Sequence, residues 1–185
     1  AAFLDYAVTY YPADHYALIF WDHGGGSVYG YGNDTIYSGD SLLLKGMAAV
    51  LEESPFGKNG SAHLDWVGFD ACLMASMEVA ATFNGFADYM VGSEDFEPGY
   101  GWDYTTWLGA MANNPRINPL QLCKAITDSY ITFYTRSGIA QKQPATQLFC
   151  IMDLSKADEL EKAYGRLMAR ALDDSAESVN VAALL

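Results

Sequence analysis

The chain has 185 residues, 51% of them hydrophobic, at a mean hydropathy of +0.01, which suits one globular core and not a disordered tract. Its 23 Asp and Glu against 10 Lys and Arg give a formal charge of −13, which repels a phosphate backbone, argues against nucleic acid and favours basic partners. No apolar run is long enough for a membrane span, and the three cysteines, with no CxxC pair, support neither a disulfide framework nor a zinc cage.

Residues 3–11 carry apolar side chains at helical spacing, and Pro12-Ala13-Asp14 ends that pattern. Residues 15–21 are rich in β-formers and stop at Asp22-His23-Gly24-Gly25-Gly26, which predicts a buried strand running into a loop. Residues 24–39, dense in Gly, Tyr, Asn, Asp and Ser, read as an irregular surface connection, and a helix is predicted over 41–51. A strand over 64–69, a helix over 73–83 and a short strand over 89–92 follow. From residue 105 onward the pattern is mostly helical, over 120–134 and 156–172, with one strand over 147–152. No internal repeat or interdomain linker is visible, so 1–185 is read as one domain.

Strands alternating with helices predict an α/β fold: a mostly parallel sheet covered on both faces, with functional groups at the carboxyl ends of the strands. Two strand exits carry reactive side chains, Asp22-His23 and Asp70-Ala71-Cys72, and adjacent parallel strands would bring both to one sheet edge. A thiol needs a base nearby and gains thiolate character at a helix N-terminus; Cys72, between a strand and a helix, has the expected setting. Acyl transfer also needs donors for an oxyanion. The glycines after His23 allow close backbone approach, which makes the Gly24 and Cys72 N–H groups the candidates. The competing reading is a buried Cys and a His in a turn.

His23-Gly24-Gly25-Gly26 and Gly68-Phe69-Asp70-Ala71-Cys72-Leu73-Met74, in that order, resemble the clostripain family of cysteine peptidases. The resemblance extends to residues 11–23 and 93–102. Its well-matched core is about residues 1–110. It implies a caspase-like αβα sandwich, as in gingipains and legumain, and a chain lacking N-terminal strands and C-terminal parts of the domain. It implies a cysteine endopeptidase in which Cys72 attacks the scissile carbonyl and His23 acts as general acid and base. In such sites the two side chains need not touch in the free enzyme.

By the same resemblance, Asp70 lies in the pocket for the residue before the scissile bond and selects Arg or Lys, through charge-assisted pairing. Strand alternation would place it on the face of Cys72; the alternative is that it caps the following helix. Residues 93–102 are expected to form a wall of the cleft or a packed loop. Asp22 either orients His23, binds a cation or is solvated, while His15 and His63 sit at strand boundaries and Cys123 and Cys150 pack.

The chemistry requires no cofactor. The resemblance admits calcium for activation, but no EF-hand pattern occurs, so the metal ligands are unknown. Self-cleavage in the family often follows a basic residue between the catalytic His and Cys, and none occurs from residue 24 to 44; Lys45 and Lys58 are the remaining positions. The partners expected are protein or peptide substrates with basic residues. The chain starts at Ala1 without an initiator Met or charged leader, and an extracellular or cell-envelope location is expected. A catalytically silent caspase-like module binding basic peptides is the rival from another class. An α/β hydrolase fits poorly, lacking GxSxG and placing His before the nucleophile.

Overall fold

A computed structural model describes residues 1–138 and 148–178, with side chains described to residue 172. In chain order it contains α1 (Ala2–Tyr10), β1 (Ala17–Trp21), α2 (Gly26–Tyr29), β2 (Tyr31–Asp34), β3 (Asp40–Leu42), α3 (Leu44–Glu52) and β4 (Leu64–Asp70). Then come α4 (Met77–Phe83), β5 (Ala87–Ser93), α5 (Tyr104–Asn113), α6 (Pro119–Arg136), β6 (Phe149–Asp153) and, after one 3-10 turn, α7 (Ala157–Ser178). The start of the predicted last strand, Gln147, lies outside the described residues.

The main sheet has the order β1-β4-β5-β6. β1, β4 and β5 run parallel and β6 antiparallel. β4 is buried almost throughout because it has strands on both sides and helices on both faces. Its alternating side chains feed two cores. On one face Val67 and Phe69 pack with Leu4 of α1, Met47 and Leu51 of α3, and Val79 and Phe83 of α4. On the other, Trp66 packs with Trp107 of α5 and with Leu122, Ile126 and Tyr130 of α6. Full burial of each such large side chain contributes about 1.5–3 kcal/mol. The predicted αβα layering with a mostly parallel sheet is therefore present.

Two local expectations change. The tract read as irregular contains the short helix α2 and the antiparallel hairpin of β2 and β3. The hairpin turns through Ser38 and Gly39 at positive φ, and because it occupies Asp40–Leu42, α3 starts at Leu44 instead of residue 41. The helix predicted over 73–83 begins only at Met77, where Ser76 accepts a hydrogen bond from the Val79 N–H. Residues 71–76 form a turn in which Leu73 takes φ 64, a conformation that a side chain like leucine rarely adopts without outside support.

Candidate active site

β1 and β4 are in register, with Trp21 opposite Asp70, so the chain leaves both strands at one level of one sheet edge. His23 and Cys72 follow there, and the exit of β5 supplies residues 94–102 alongside. A cavity of about 420 Å³ opens among these three exits, lined by Trp21, Asp22, His23, Asp70, Cys72 and Glu97 together with Ala71, Pro98, Gly99 and Gly101. This is the crevice beyond the carboxyl ends of parallel strands where α/β sheets place ligands. A larger hollow of about 680 Å³ between α5 and α6 contains no thiol or imidazole.

The β5 loop holds the Cys72 turn in place. The Leu73 N–H donates to Asp95 O (3.1 Å) and the Ala75 N–H to Ser93 O (2.9 Å). The Glu97 N–H donates to Cys72 Sγ at 3.2 Å, and the thiol reaches Glu97 O at 3.7 Å. These contacts stabilise the left-handed Leu73 and fix the half-buried thiol. Because α4 starts five residues beyond Cys72, the helix N-terminus expected to assist the thiol is not beside it; helix-dipole effects fade within a turn.

His23 is exposed, and its backbone N–H donates to Asp22 Oδ1 at 2.6 Å. Asp22 thus engages the main chain of His23. Among the described residues no hydrogen bond joins the imidazole to Cys72, so the two line one cavity without touching through such a bond. Gly24 packs hard against the nucleophile's backbone: a Cβ at this position would lie 2.0 Å from Cys72 O, so only glycine fits.

Asp70 is buried and accepts hydrogen bonds from the Trp102 N–H (3.2 Å) and the Tyr104 hydroxyl (3.1 Å). It does not cap α4, which Ser76 caps. It ends β4, and Cys72 lies beyond the strand, so the two share a cavity through the turn and not through strand alternation. Gly101, at φ +66, comes so close that a Cβ there would sit 2.9 Å from the Asp70 carboxylate. Burial raises the Asp70 carboxyl above the usual range, opposed by hydrogen bonds from the Trp102 N–H, the Tyr104 hydroxyl and the Glu97 carboxyl.

Glu97 is the residue that sequence reasoning did not single out. Its carboxylate oxygens are cut off from solvent, with Asp70, the Trp102 indole and the Ala71 backbone as their polar neighbours. Burial first, and the Asp70 charge second, push this carboxyl up to about 9. Held up in this way, the Glu97 carboxyl keeps its proton at neutral pH, while the hydrogen bonds to Asp70 favour the charged form there. The available signal was an acid among glycines and aromatics just after a strand exit, and only the folded chain shows where it points.

The other conspicuous residues stay away from the cavity. His15 pairs with Asp65 and His63 with Asp88, each at 2.9 Å, at the strand starts. Cys123 is fully buried and pushed up to about 12 by desolvation, and Cys150 is pushed up to about 11 for the same leading reason. Among the described residues no group of three or more His, Cys, Asp or Glu is placed to hold a metal ion. No described helix is long and apolar enough to cross a membrane.

A model of the clostripain family matches residues 1–184. Clostripain of Hathewaya histolytica is 33% identical over 123 residues, which cover 55% of this chain and 22% of that protein. The crystal structure of a secreted C11 cysteine protease from Bacteroides thetaiotaomicron, bound to an irreversible peptide inhibitor, superposes with a TM-score of 0.67 at 24% identity. That match covers 88% of this chain and 46% of the other. An inactive zymogen C11 protease from Parabacteroides distasonis gives a TM-score of 0.54 at 28% identity, over 86% of this chain and 40% of the other. The chain spans less than half the length of each of these relatives.

Proposed function

The chain belongs to the clostripain family of cysteine peptidases, and on that premise we propose that it carries the catalytic centre of an endopeptidase that cleaves after Arg or Lys. The observation that carries the reading is the single cavity lined by His23, Cys72, Asp70 and Glu97: a nucleophile, an acid/base and two carboxyls within reach of one substrate residue.

In this reading the Cys72 thiolate attacks the carbonyl carbon, and the oxyanion accepts hydrogen bonds from the backbone N–H groups of Gly24 and Cys72. His23, as imidazolium, gives its proton to the leaving amine, and a thioester remains on Cys72. Water then attacks the thioester, His23 takes the water's proton, and the acid product leaves with Cys72 restored. Asp70 and Glu97 receive the basic side chain, supported by their burial in a cavity whose lining holds no Lys or Arg.

The partners are protein or peptide substrates with basic residues. An extracellular or cell-envelope setting is supported by the secreted protease that shares the fold. Calcium belongs to this proposal only as an activator.

The test incubates the full-length protein with fluorogenic Arg, Lys and Asp peptides, with and without a thiol alkylator and a calcium chelator. Alkylator-sensitive turnover of the Arg or Lys peptide, absent in Cys72→Ala and in His23→Ala, is the expected result. Binding of basic peptides without turnover would leave the silent-module reading in its place.

A further inference from the structure

Glu97 does two things at once. Its backbone N–H holds the Cys72 sulfur, and its carboxyl is buried against Asp70, cut off from solvent. The groups around that carboxyl come from every element packed on it. β4 brings Asp70, and the turn after it the Cys72 thiol. α5 brings Tyr104, and α6 brings Tyr130 and Tyr134. The loop's own Tyr100 faces Tyr134, Tyr31 of β2 lies near Asp70, and Asp22 and His23 close the far side of the cavity. Of these only His23 can be positive, and it is exposed at the rim. Among the described residues lining the cavity there is no Lys or Arg, so the pair of acids is placed to receive a cation from a substrate.

We propose that Glu97 is a second specificity-determining residue whose carboxyl gives up its proton when a basic substrate side chain enters, so that substrate binding and proton release are one event. This rests on the basic-residue reading of the cavity. A guanidinium or ammonium between Asp70 and Glu97 offsets their mutual repulsion and the loss of water together, which are the two reasons the proton stays on in the empty site. The proton passes from the carboxyl to solvent; no covalent bond changes besides that O–H. Because the free carboxyl titrates near 9, affinity for a basic peptide rises with pH by up to about tenfold per unit from neutrality toward 9 and levels off above it. The same residue grips the thiol through its backbone, so reading the substrate and placing the nucleophile share one loop.

The experiment uses the full-length protein carrying Cys72→Ala, titrated calorimetrically at pH 7 with an Arg peptide in two buffers of different ionisation heat. Release of about one proton per bound peptide, lost in the Cys72→Ala, Glu97→Gln double variant while weaker binding persists, supports the proposal. If the double variant does not fold, the pH series on the single variant decides: affinity that climbs toward pH 9 supports, and affinity flat with pH overturns. Binding with no buffer dependence at all overturns the proton coupling and leaves the pocket intact. Failure of both Arg and Lys peptides to bind overturns the pocket reading and this inference with it.

Discussion

Replacing Asp70 by Asn separates the charge of this residue from its structural duties. The amide oxygen can still accept from the Trp102 N–H and the Tyr104 hydroxyl, which Asp70 now satisfies at 3.2 and 3.1 Å. Asp70→Ala would instead strand both donors, at about 1–3 kcal/mol each. What Asn removes is the negative charge, buried at 5% exposure and facing the cavity. Losing one partner of a buried charged pair costs about 3 kcal/mol, roughly 150-fold in kcat/KM. Stability should move the other way. The folded-state carboxyl is raised above its ordinary value, so the charge opposes folding above the normal carboxylate range, and Asn is as stable or more stable at pH 7. The assay is kcat/KM on Arg and Lys fluorogenic peptides against a citrulline control, with a thermal melt of each protein. Unchanged kcat/KM on the basic peptides, at unchanged melting temperature, would refute the assignment of Asp70 to substrate recognition.

Gly24→Ala would force a methyl group 2.0 Å from Cys72 O, and relieving that contact takes a shift of about 1 Å at the nucleophile, enough for a hundredfold loss of kcat; near-normal turnover would show the segment to be looser than this packing implies. Limited alkylation at neutral pH should label Cys72 ahead of Cys123 and Cys150, whose thiols burial pushes up to about 12 and about 11; peptide mass mapping that finds Cys123 modified first in folded protein contradicts this. Glu97 keeps its proton to about 9 when folded but releases it near 4.5 when unfolded, so thermal stability should decline as pH rises between those values, and Glu97→Gln should flatten the decline. A melting temperature that climbs steadily from pH 5 to 9 would show that Glu97 is not buried as a neutral acid.

The parts of this fold that were legible are those written in short-range pattern. β1 and β4 announce themselves as apolar runs closed by His23-Gly24-Gly25 and Asp70-Ala71-Cys72, and strand-helix alternation is enough to make them parallel neighbours. That pattern alone brings His23 and Cys72 to one sheet edge. The β2–β3 hairpin was not legible because its strands are three and four residues long and polar at the turn, too short to show alternation. Leu73 misled for a different reason. Nothing in a leucine signals a left-handed turn, so helical periodicity extends back through it, although bonds from the Leu73 and Ala75 N–H groups to the carbonyls of Asp95 and Ser93, more than 15 residues away, fix that backbone. The consequence is chemical as well as architectural. With α4 beginning at Met77, a helix dipole cannot be what prepares Cys72, and the donor that does face the sulfur is the Glu97 N–H. Nucleophile geometry in this chain thus depends on long-range pairing between residues 72–75 and the β5 loop, and substitutions that loosen that loop should reach the thiol even where they touch neither His23 nor Cys72.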